Sequence, residues 1–441
     1  MCSLSSASGR PEELMKKLLY VLLFVTSCAC AKPDPASTTV KAESDAFFAE
    51  LNTEHDLVKR HPPLLKKLIK DHLVPLIDEE YMARQVLGDN WKRASFSQRQ
   101  AFLDTFRNKV LETYADAFAA YYGYGVTFSP AEYSDNRKKA LVKGTINAEE
   151  GDVPINFRMY KTRNRWKAYD IQFNDISLIR SYREQVARNI QQQGLAQAIS
   201  ILAKEYQDQT PVIEFGAVSW DPYMAPGLPN QGLAVDIVTE AFAELGYRTK
   251  ANFMSGPSIE DKTDEGSLAG DIAAWRREGQ DDEYFYSAPY LSNRLVFAKR
   301  DNDPFTFQSP EQMSGFIKGK GYRLGLYSDV DYGSSINQQL DGFVIDHRDY
   351  CSQLIRDVGN KSLDLALLDQ WAGAIQLQQK PALAEHVTLL DNAVGERLLR
   401  MRIKRSTKDA ETILDAFNTG LERIKANGKY AALLKLHKYP Q

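Results

Sequence analysis

The sequence predicts two folded domains, an α+β domain followed by an α/β domain built as two lobes. Its 441 residues exceed what one hydrophobic core ordinarily serves. Strand-like segments follow one another between residues 125 and 173, whereas strands and helices alternate after residue 211. Residues 41–210 carry 25 basic and 23 acidic side chains, and residues 211–441 carry 26 and 32. We therefore expect a boundary between Tyr206 and Pro211.

The overall composition is typical of a globular protein, with 43% hydrophobic residues, 26% charged residues and a net charge of −3. It excludes a disordered, collagen-like or polytopic membrane protein. Neither large segment has the basic surplus of a nucleic-acid binder, so we predict no nucleic-acid partner.

Only Cys351 of the four cysteines lies in a predicted folded region, and the histidines are scattered. No cofactor or metal site is therefore predicted, and Cys351 is interpreted as a buried, unreactive thiol.

The N-terminal segment, residues 1–31, has the pattern of an export signal. Two lysines precede the apolar run Leu18–Val25, which is far shorter than the ~20 residues of a membrane-spanning helix. Acidic residues stand before Met15, which is therefore a candidate start. The stretch ending at Cys28 resembles a bacterial lipobox, and Ala29-Cys30-Ala31 resembles a signal-peptidase site. Diacylglycerol on Cys28 and cleavage after Ala31 both remain open, and residues 32–44 are predicted to be a linker.

Residues 45–206 are predicted to form helices that cover one small sheet. The helix over Ser97–Tyr121 has capping-box spacing at Ser97 and Gln100, and its apolar residues recur at steps of four and three. The segment from Val153 alternates apolar and polar residues, so one face of its sheet is apolar. The other predicted elements are a helix, three strands and a closing helix interrupted near Gly194: Leu64–Leu73, Gly125–Ser129, Ala140–Asn147, Trp166–Phe173 and Ser177–Tyr206.

Several ordered motifs in this region resemble the MlaC family of periplasmic phospholipid-shuttle proteins, also called toluene-tolerance proteins. The motifs are Tyr81-Met-Ala-Arg-Gln-Val-Leu-Gly-Asp-Asn-Trp91, Ser95-Phe-Ser-Gln-Arg-Gln-Ala-Phe-Leu-Asp-Thr-Phe106, Arg165-Trp-Lys-Ala-Tyr-Asp-Ile171, Ile176-Ser-Leu-Ile179 and Ser181-Tyr-Arg183. The resemblance implies a cone-like sheet wrapped by helices, which carries acyl chains inside and passes phospholipid between membrane partners. It makes six residues candidates to line an acyl-chain cavity: Phe102, Phe106, Val110, Tyr114, Phe157 and Met159. An ordinary packed core would use the same side chains, so both interpretations stay open.

Residues 211–441 are predicted to form two α/β lobes, because strands, loops and helices alternate along them. Lobe one is expected over 211–300 with 398–441, and lobe two over 305–393. Four motifs resemble the family-3 extracellular solute-binding proteins, receptors of ABC importers with the type II periplasmic-binding-protein fold. They are Trp220-x-Pro-Tyr223, Gly232-x-x-x-Asp236, Ser287-x-Pro-Tyr290 and the tail Phe417-Asn-x-Gly-Leu-x-x-Ile-x-x-x-Gly428-Lys-Tyr430.

The resemblance implies that a small polar solute is held in the cleft between the lobes. By position, aromatic walls, a helix start and a carboxylate for a ligand amine are expected to contact it: Trp220, Tyr223, Trp275, Arg276, Ser328, Asp331 and Asp369. Members that bind amino acids usually carry an arginine shortly before the Ser-x-Pro-Tyr turn, whereas Glu278–Glu283 is acidic here. The case for an α-amino acid is weakened, and a cationic or unusual solute becomes an alternative.

We therefore predict a non-catalytic, exported binding protein of ABC-type transport that acts in the periplasm. Phospholipid acyl chains, a small polar solute, an ABC permease and Mla-type membrane complexes are the expected partners, with peripheral membrane contact only. Lipidated Cys28 would anchor the protein to a membrane. The first alternative is a ligand-sensing or interaction lipoprotein that has lost transport. A dehydratase-like enzyme of the same fold is a weaker alternative, because no nucleophile elbow or P-loop is present.

Overall fold

The computed structural model describes residues 35–441 apart from 121–122, 150, 164, 207–209, 278, 311–312, 314–320, 329 and 441. The predicted export signal, with Met15, Cys28 and Ala31, lies outside the described residues. Two compact units share the chain, and their segments alternate along it. The first unit comprises the described parts of Met1–Ala46, His72–Ala94 and Tyr124–Leu195, and the second comprises those of Phe47–Asp71, Ser95–Gly123 and Ala196–Gln441.

The described residues before 207 form helices and a short run of strands. The helices are α1 Pro35–Thr53, α2 His55–Arg60, α3 Pro63–His72, α4 Glu79–Leu87, α5 Asn90–Arg93, α6 Phe96–Ala120, α7 Leu178–Gln193 and α8 Leu195–Glu205. The strands are β1 Val126–Phe128, β2 Glu132–Tyr133, β3 Lys139–Ala148, β4 Gly151–Lys161, β5 Trp166–Phe173 and β6 Ile176–Ser177.

The predicted linker over residues 32–44 is wrong for its described part, because helix α1 already begins at Pro35. Ala36, Val40, Ser44, Phe47 and Leu51 are all buried. They follow one another at steps of four, four, three and four, which places them on one face of the helix. The small residues that suggested a flexible linker instead form the buried face of a helix.

The helix cap predicted at Ser97 and Gln100 is also wrong, because the capping box lies two residues earlier. The Ser95 backbone N–H donates to Gln98 Oε1 at 2.9 Å, and the Gln98 N–H donates to Ser95 Oγ at 3.2 Å. Both pairs have the same S-x-x-Q spacing, so the motif alone does not choose between them. The helix begins at Phe96, directly after the Ser95 cap. The Phe96 side chain is 77% exposed and is not part of the apolar stripe, so the stripe does not mark where the helix starts.

The described strands of the first unit form one antiparallel sheet in the order β1-β3-β4-β5-β6, with β2 beside β3. Strands β3 and β4 pair continuously from Lys139↔Tyr160 to Ala148↔Gly151. On β4, Ile155, Phe157 and Met159 are buried while the residues between them are less so, which confirms the predicted apolar face.

The region after residue 210 alternates strands and helices. The strands are β7 Val212–Ala217, β8 Arg248–Phe253, β9 Gly270–Trp275, β10 Tyr284–Tyr286, β11 Leu291–Arg300, β12 Arg323–Tyr327, β13 Val344–Arg348, β14 Leu365–Asp369 and β15 Val387–Lys404. The helices are α9 Leu233–Ala243, α10 Gly256–Asp264, α11 Ser334–Gln339, α12 Cys351–Gly359, α13 Gln370–Gln379, α14 Pro381–Ala384, α15 Ala410–Ala426 and α16 Lys429–Leu436.

These strands form a second sheet in the order β13-β12-β14-β11-β15-β9-β7-β8, with β10 beside β15. Strands β7, β8 and β9 are parallel to one another, as are β12, β13 and β14. The long antiparallel strands β11 and β15 join the two parallel groups. Each parallel group with its helices forms one lobe, so the predicted fold class, α+β followed by a two-lobe α/β fold, is confirmed.

No helix in the described part of the chain is long and apolar enough to cross a membrane. Among the same residues, no group of three or more histidine, cysteine and acidic side chains is placed to share a metal ion.

Cys351 is a free thiol at the start of α12, and burial raises its pKa to about 11. A thiol that holds its proton so firmly is a weak nucleophile at neutral pH.

Candidate functional site

Aromatic side chains gather around one buried carboxylate where β9, β11 and β14 lie near each other. We call this set the cleft cluster, and it consists of Trp220, Tyr223, Trp275, Asn293, Asp369, Trp371 and Tyr439. Its members come from the loop after β7, the ends of β9 and β14, strand β11, helix α13 and the C-terminal tail. Both lobes therefore contribute side chains to the cluster.

Asp369 lies at the centre of the cleft cluster and is 1% exposed. It is the last residue of β14 and caps helix α13, because its Oδ1 accepts from the Ala372 backbone N–H at 2.8 Å. Its Oδ2 accepts from the Tyr223 hydroxyl at 2.9 Å and from Asn293 Nδ2 at 3.1 Å. Burial raises the pKa of Asp369, and these donors act against that rise by stabilising the carboxylate.

Two hydrogen bonds through the side-chain amide of Asn293 connect Asp369 to Trp275. Trp275 Nε1 donates to Asn293 Oδ1 at 2.7 Å, while the Asn293 amide nitrogen donates to Asp369. The amide of Asn293 is thus used at both ends, and this residue is fully buried. These two hydrogen bonds fix the position of the Trp275 ring relative to the Asp369 carboxylate.

Three rings of the cleft cluster pack edge to face against one another. The Tyr223 ring centroid lies 4.9 Å from that of Trp371, and Trp371 lies 5.1 Å from Tyr439. The Tyr439 hydroxyl donates to the Ser292 carbonyl at 2.6 Å, which holds the C-terminal tail against β11. Such aromatic pairs are each worth about 0.5–1.5 kcal/mol beyond the area they bury.

Trp275 also faces a guanidinium group. The Arg397 Cζ lies 5.2 Å from the Trp275 ring centroid, and Arg397 Nη2 donates to the Arg276 carbonyl at 3.2 Å. Arg397 Nε is buried and has no hydrogen-bond partner among the described residues. Arg397 on β15 thus brings a cation with a spare donor next to the cleft cluster.

The structure brings together four of the seven residues predicted to bind solute: Trp220, Tyr223, Trp275 and Asp369. The Trp220 ring lies 5.3 Å from Tyr223 and 5.6 Å from Trp275. Four further residues at this place were not predicted from the sequence: Asn293, Trp371, Tyr439 and Arg397. Trp371 lies two positions after Asp369 and could have been suspected, whereas nothing local marks the other three.

The three remaining predicted residues lie outside the cluster. Arg276 Nε donates to Asp281 at 2.9 Å, and that ion pair is exposed to solvent. The Ser328 N–H pairs with the Arg348 carbonyl, and Asp331 accepts from the Gly333 N–H at 2.8 Å. Helix α11 begins only at Ser334 and has six residues, so it is too short for a strong macrodipole.

The candidate lipid-contacting residues fall on two elements. Phe102, Phe106 and Val110 are buried on α6, and the first two rings stack 6.3 Å apart. Tyr114 also lies on α6, but its side chain is outside the described part of the structure. Phe157 and Met159 are buried on β4. Helix α6 belongs to the second compact unit and β4 to the first.

Substituting Tyr223 with phenylalanine is expected to lower the free energy of unfolding by about 1–3 kcal/mol. The change removes one of the donors to the buried Asp369 carboxylate and keeps the ring. Urea unfolding followed by tryptophan fluorescence measures the loss. Tyr350→Phe is the matched control, because Tyr350 is 65% exposed and should change stability little. Equal stability of both variants would contradict a strong Tyr223–Asp369 bond.

Comparison with known proteins divides the chain into two regions. The family model of the MlaC protein matches residues 41–204. The chain is 27% identical over 176 residues to the intermembrane phospholipid transport system binding protein MlaC of Haemophilus influenzae, covering 37% of this chain and 81% of the relative. It is 22% identical over 183 residues to toluene tolerance protein ttg2D of Pseudomonas putida, covering 41% and 85% respectively.

Two solved structures are also similar to part of this chain. A phospholipid-binding protein from Ralstonia solanacearum, in complex with a phospholipid, is 26% identical, with a TM-score of 0.37, 39% of this chain covered and 96% of the other. The GluR0 ligand-binding core from Nostoc punctiforme, in complex with L-glutamate, is 15% identical, with a TM-score of 0.41, 52% of this chain covered and 100% of the other.

The second family match is the longer one. The model of bacterial extracellular solute-binding proteins, family 3, matches residues 218–438, which is half of the chain. That range contains all seven members of the cleft cluster except Tyr439, which follows it by one residue. The chain therefore belongs to the family-3 bacterial extracellular solute-binding proteins and carries, ahead of that region, a domain of the MlaC family.

Proposed function

We propose that this chain is an exported periplasmic binding protein with two ligand sites, one for phospholipid acyl chains and one for a small polar solute. The observation that carries the proposal is the pairing of a MlaC domain with a family-3 solute-binding domain in one chain. Both families are families of binding proteins, so the proposed role is capture and delivery without catalysis.

Solute is proposed to enter beside Trp220, Trp275 and Arg397. Arg397 Nε has a spare donor there, and two indole rings offer flat apolar walls. A guanidinium beside aromatic faces suits an anionic or carbonyl-bearing group on a planar solute. Arg397 would then supply the cation that the acidic stretch before Ser287 lacks.

Asp369 is proposed to hold the lobes together rather than to bind a ligand amine directly. Both of its oxygens already accept from protein donors, and one donor, Tyr223, comes from the opposite lobe. Opening the lobes would break that bond, and reclosing would restore it. The solute amine contact expected from the resemblance would require displacement of Tyr223 or Asn293.

Two separate sets of apolar side chains are proposed as candidate acyl-chain contacts: the stripe of α6 in one compact unit and the buried face of β4 in the other. Phe102, Phe106, Val110, Phe157 and Met159 are apolar and buried, as a lipid-contacting surface requires. Delivery to an ABC permease or a Mla-type membrane complex is proposed from the resemblance to the two families, and Cys28 is the proposed anchor if it is lipidated.

A second candidate function is ligand sensing or protein interaction without transport. This function is favoured by the hydrogen bonds of Asp369, whose two oxygens both accept from donors of the protein itself. A carboxylate that is already hydrogen-bonded in this way does not require a solute to satisfy it. The two candidates differ in whether the purified protein retains any small molecule.

Native mass spectrometry of the full chain, purified from periplasmic and membrane fractions, tests the proposal. We expect co-purified phospholipid, and we expect Phe106→Trp to displace it because the larger ring adds volume to the buried face of α6. Phe96→Trp is the matched control on the same helix, because Phe96 is 77% exposed. In the same preparation, a polar metabolite should raise the melting temperature of the wild type and not of Trp220→Ala.

Retention of neither lipid nor solute would contradict the transport proposal and favour the interaction role. The intact mass of the same sample reports whether Cys28 carries a diacylglyceryl group. Turnover of a candidate solute, rather than its retention, would instead support an enzyme.

A further inference from the structure

A cavity of about 430 Å³ lies in the second compact unit, away from the cleft cluster. Helices α3 and α6 form two of its walls, and the turn between α9 and β8 forms the third. Its volume is within the range of small-molecule sites. We call it the junction cavity, because residues before 113 meet residues after 209 around it. It lies outside the proposed solute site, and none of its lining residues belongs to the cleft cluster.

Cationic side chains dominate the lining of the junction cavity. Lys66, Lys67 and Lys70 come from α3, Arg107 from α6 and Arg248 from the start of β8. Asp71 and Glu112 are the acidic members of the lining, so cations exceed acids by three. The whole chain has a net charge of −3, which makes this local excess a departure from the rest of the molecule.

The lysines of α3 are not all neutralised within the protein. Lys67 Nζ lies 2.6 Å from Asp71 Oδ2, which uses one of the two acids of the lining. Lys66 and Lys70 have no hydrogen-bond or ion-pair partner among the described residues. They stand four positions apart, and like charges at this spacing destabilise a helix by a few tenths of a kcal/mol. A bound anion would relieve that repulsion.

The walls of the junction cavity are held in place by close contacts. Gly246 has φ +78°, and a Cβ there would lie 2.3 Å from the Pro63 carbonyl oxygen, so α3 begins directly against the turn after α9. Buried His61 lies 3.2 Å from the Tyr247 hydroxyl and 3.0 Å from Asp415 Oδ2. Cations held on fixed walls bind an anion without first having to be ordered.

We propose that the junction cavity binds a phosphate group, carried either by a lipid headgroup or by a small soluble phosphate. Ammonium and guanidinium groups on three elements surround the space from different sides, as recognition of a phosphate oxyanion requires. Exposed Lys70 lies on the lining, so the cavity can take a headgroup whose remainder stays outside, and it equally admits a free phosphate ester. Lys66 and Lys70 supply the unpaired charge.

Isothermal titration of the full chain with inorganic phosphate, glycerol 3-phosphate and dihexanoyl phosphatidylglycerol tests this site. We expect Lys66→Glu with Lys70→Glu to weaken binding at least about tenfold, because two attractions become repulsions. Lys138→Glu with Lys161→Glu is the matched control, with the same charge change at exposed positions of the first compact unit. Binding should also weaken between about 0.05 M and about 0.5 M NaCl.

The three ligands distinguish the source of the phosphate. Comparable binding of all three supports a soluble phosphate, and binding of the phosphatidylglycerol alone supports a lipid headgroup. Lipid binding that survives both lysine reversals but is lost in Phe106→Trp would overturn the site and leave the proposed acyl-chain function intact. Absence of binding by all three ligands to the wild type would overturn it too. Lys66→Gln with Lys70→Gln repeats the test if the reversed variant fails to fold.

Discussion

Substituting Arg402 with methionine is expected to destabilise the protein by about 3–5 kcal/mol. Arg402 lies on β15 and is 6% exposed, and its Nε donates to Asp271 Oδ2 at 2.6 Å. Its guanidinium also lies 4.5 Å from the Tyr284 ring centroid. Burial raises the pKa of Asp271, and Arg402 opposes that rise. Without Arg402, the carboxylate must stay charged without a close partner or take up a proton.

Urea unfolding at neutral pH measures this loss, and a second substitution identifies its cause. Asp271→Asn together with Arg402→Met should recover part of the stability, because the buried charge is gone. Arg405→Met is the matched control, since Arg405 is exposed one residue beyond the same strand. A full loss in the double variant would mean that the arginine acts through packing against Tyr284 and not through its charge.

Substituting Gly420 with alanine is expected to cost about 2–3 kcal/mol, because it forces two helices apart. Gly420 lies on α15, and a Cβ there would meet the Ala241 carbonyl oxygen on α9 at 1.9 Å and its carbonyl carbon at 2.6 Å. Backbone atoms cannot rotate away as a side chain can. This glycine belongs to the tail motif that begins at Phe417, so helix contact gives a physical reason for the motif.

Gly227→Ala is the matched control for Gly420→Ala. No atom lies within 4 Å of a Cβ added at Gly227. Alanine there should leave the free energy of unfolding unchanged or raise it by about 0.4–1 kcal/mol, because it restricts the unfolded chain. Thermal unfolding of both variants under one condition gives the comparison. Similar melting temperatures for the two variants would show that α9 and α15 separate without cost.

Periodic patterns in the sequence predicted most elements of the fold. The alternation along β4 placed Phe157 and Met159 on one buried face, and the stripe on α6 predicted buried Phe102 and Phe106. Such patterns depend only on neighbours along one element, which a sequence displays directly. The stretch before Glu43 was misjudged because its buried residues, such as Ala36, are small, and small residues suit both a tether and a closely packed helix.

The cleft cluster was only half predictable, and the reason is the distance between its members in sequence. Tyr223 and Asp369 are 146 positions apart, and their hydrogen bond needs both lobes in place. Tyr439 comes from the C-terminal tail, and Arg397 comes from the middle of a long strand with no motif around it. Their roles depend on the topology of the second sheet, where β11 and β15 bring the lobes together.

The close approach of Pro63 to Gly246 limits how this chain can be cut. The two family matches meet between residues 204 and 218, which suggests expressing the halves separately. A shortened chain that starts at residue 211 would lose α2, α3 and α6, which belong to the same compact unit as both lobes. It would uncover Tyr247 and leave Asp415 without His61 and Arg60. The boundary between the two family matches therefore differs from the boundary between the two compact units, and the chain cannot be divided at residue 211 without breaking contacts inside one unit.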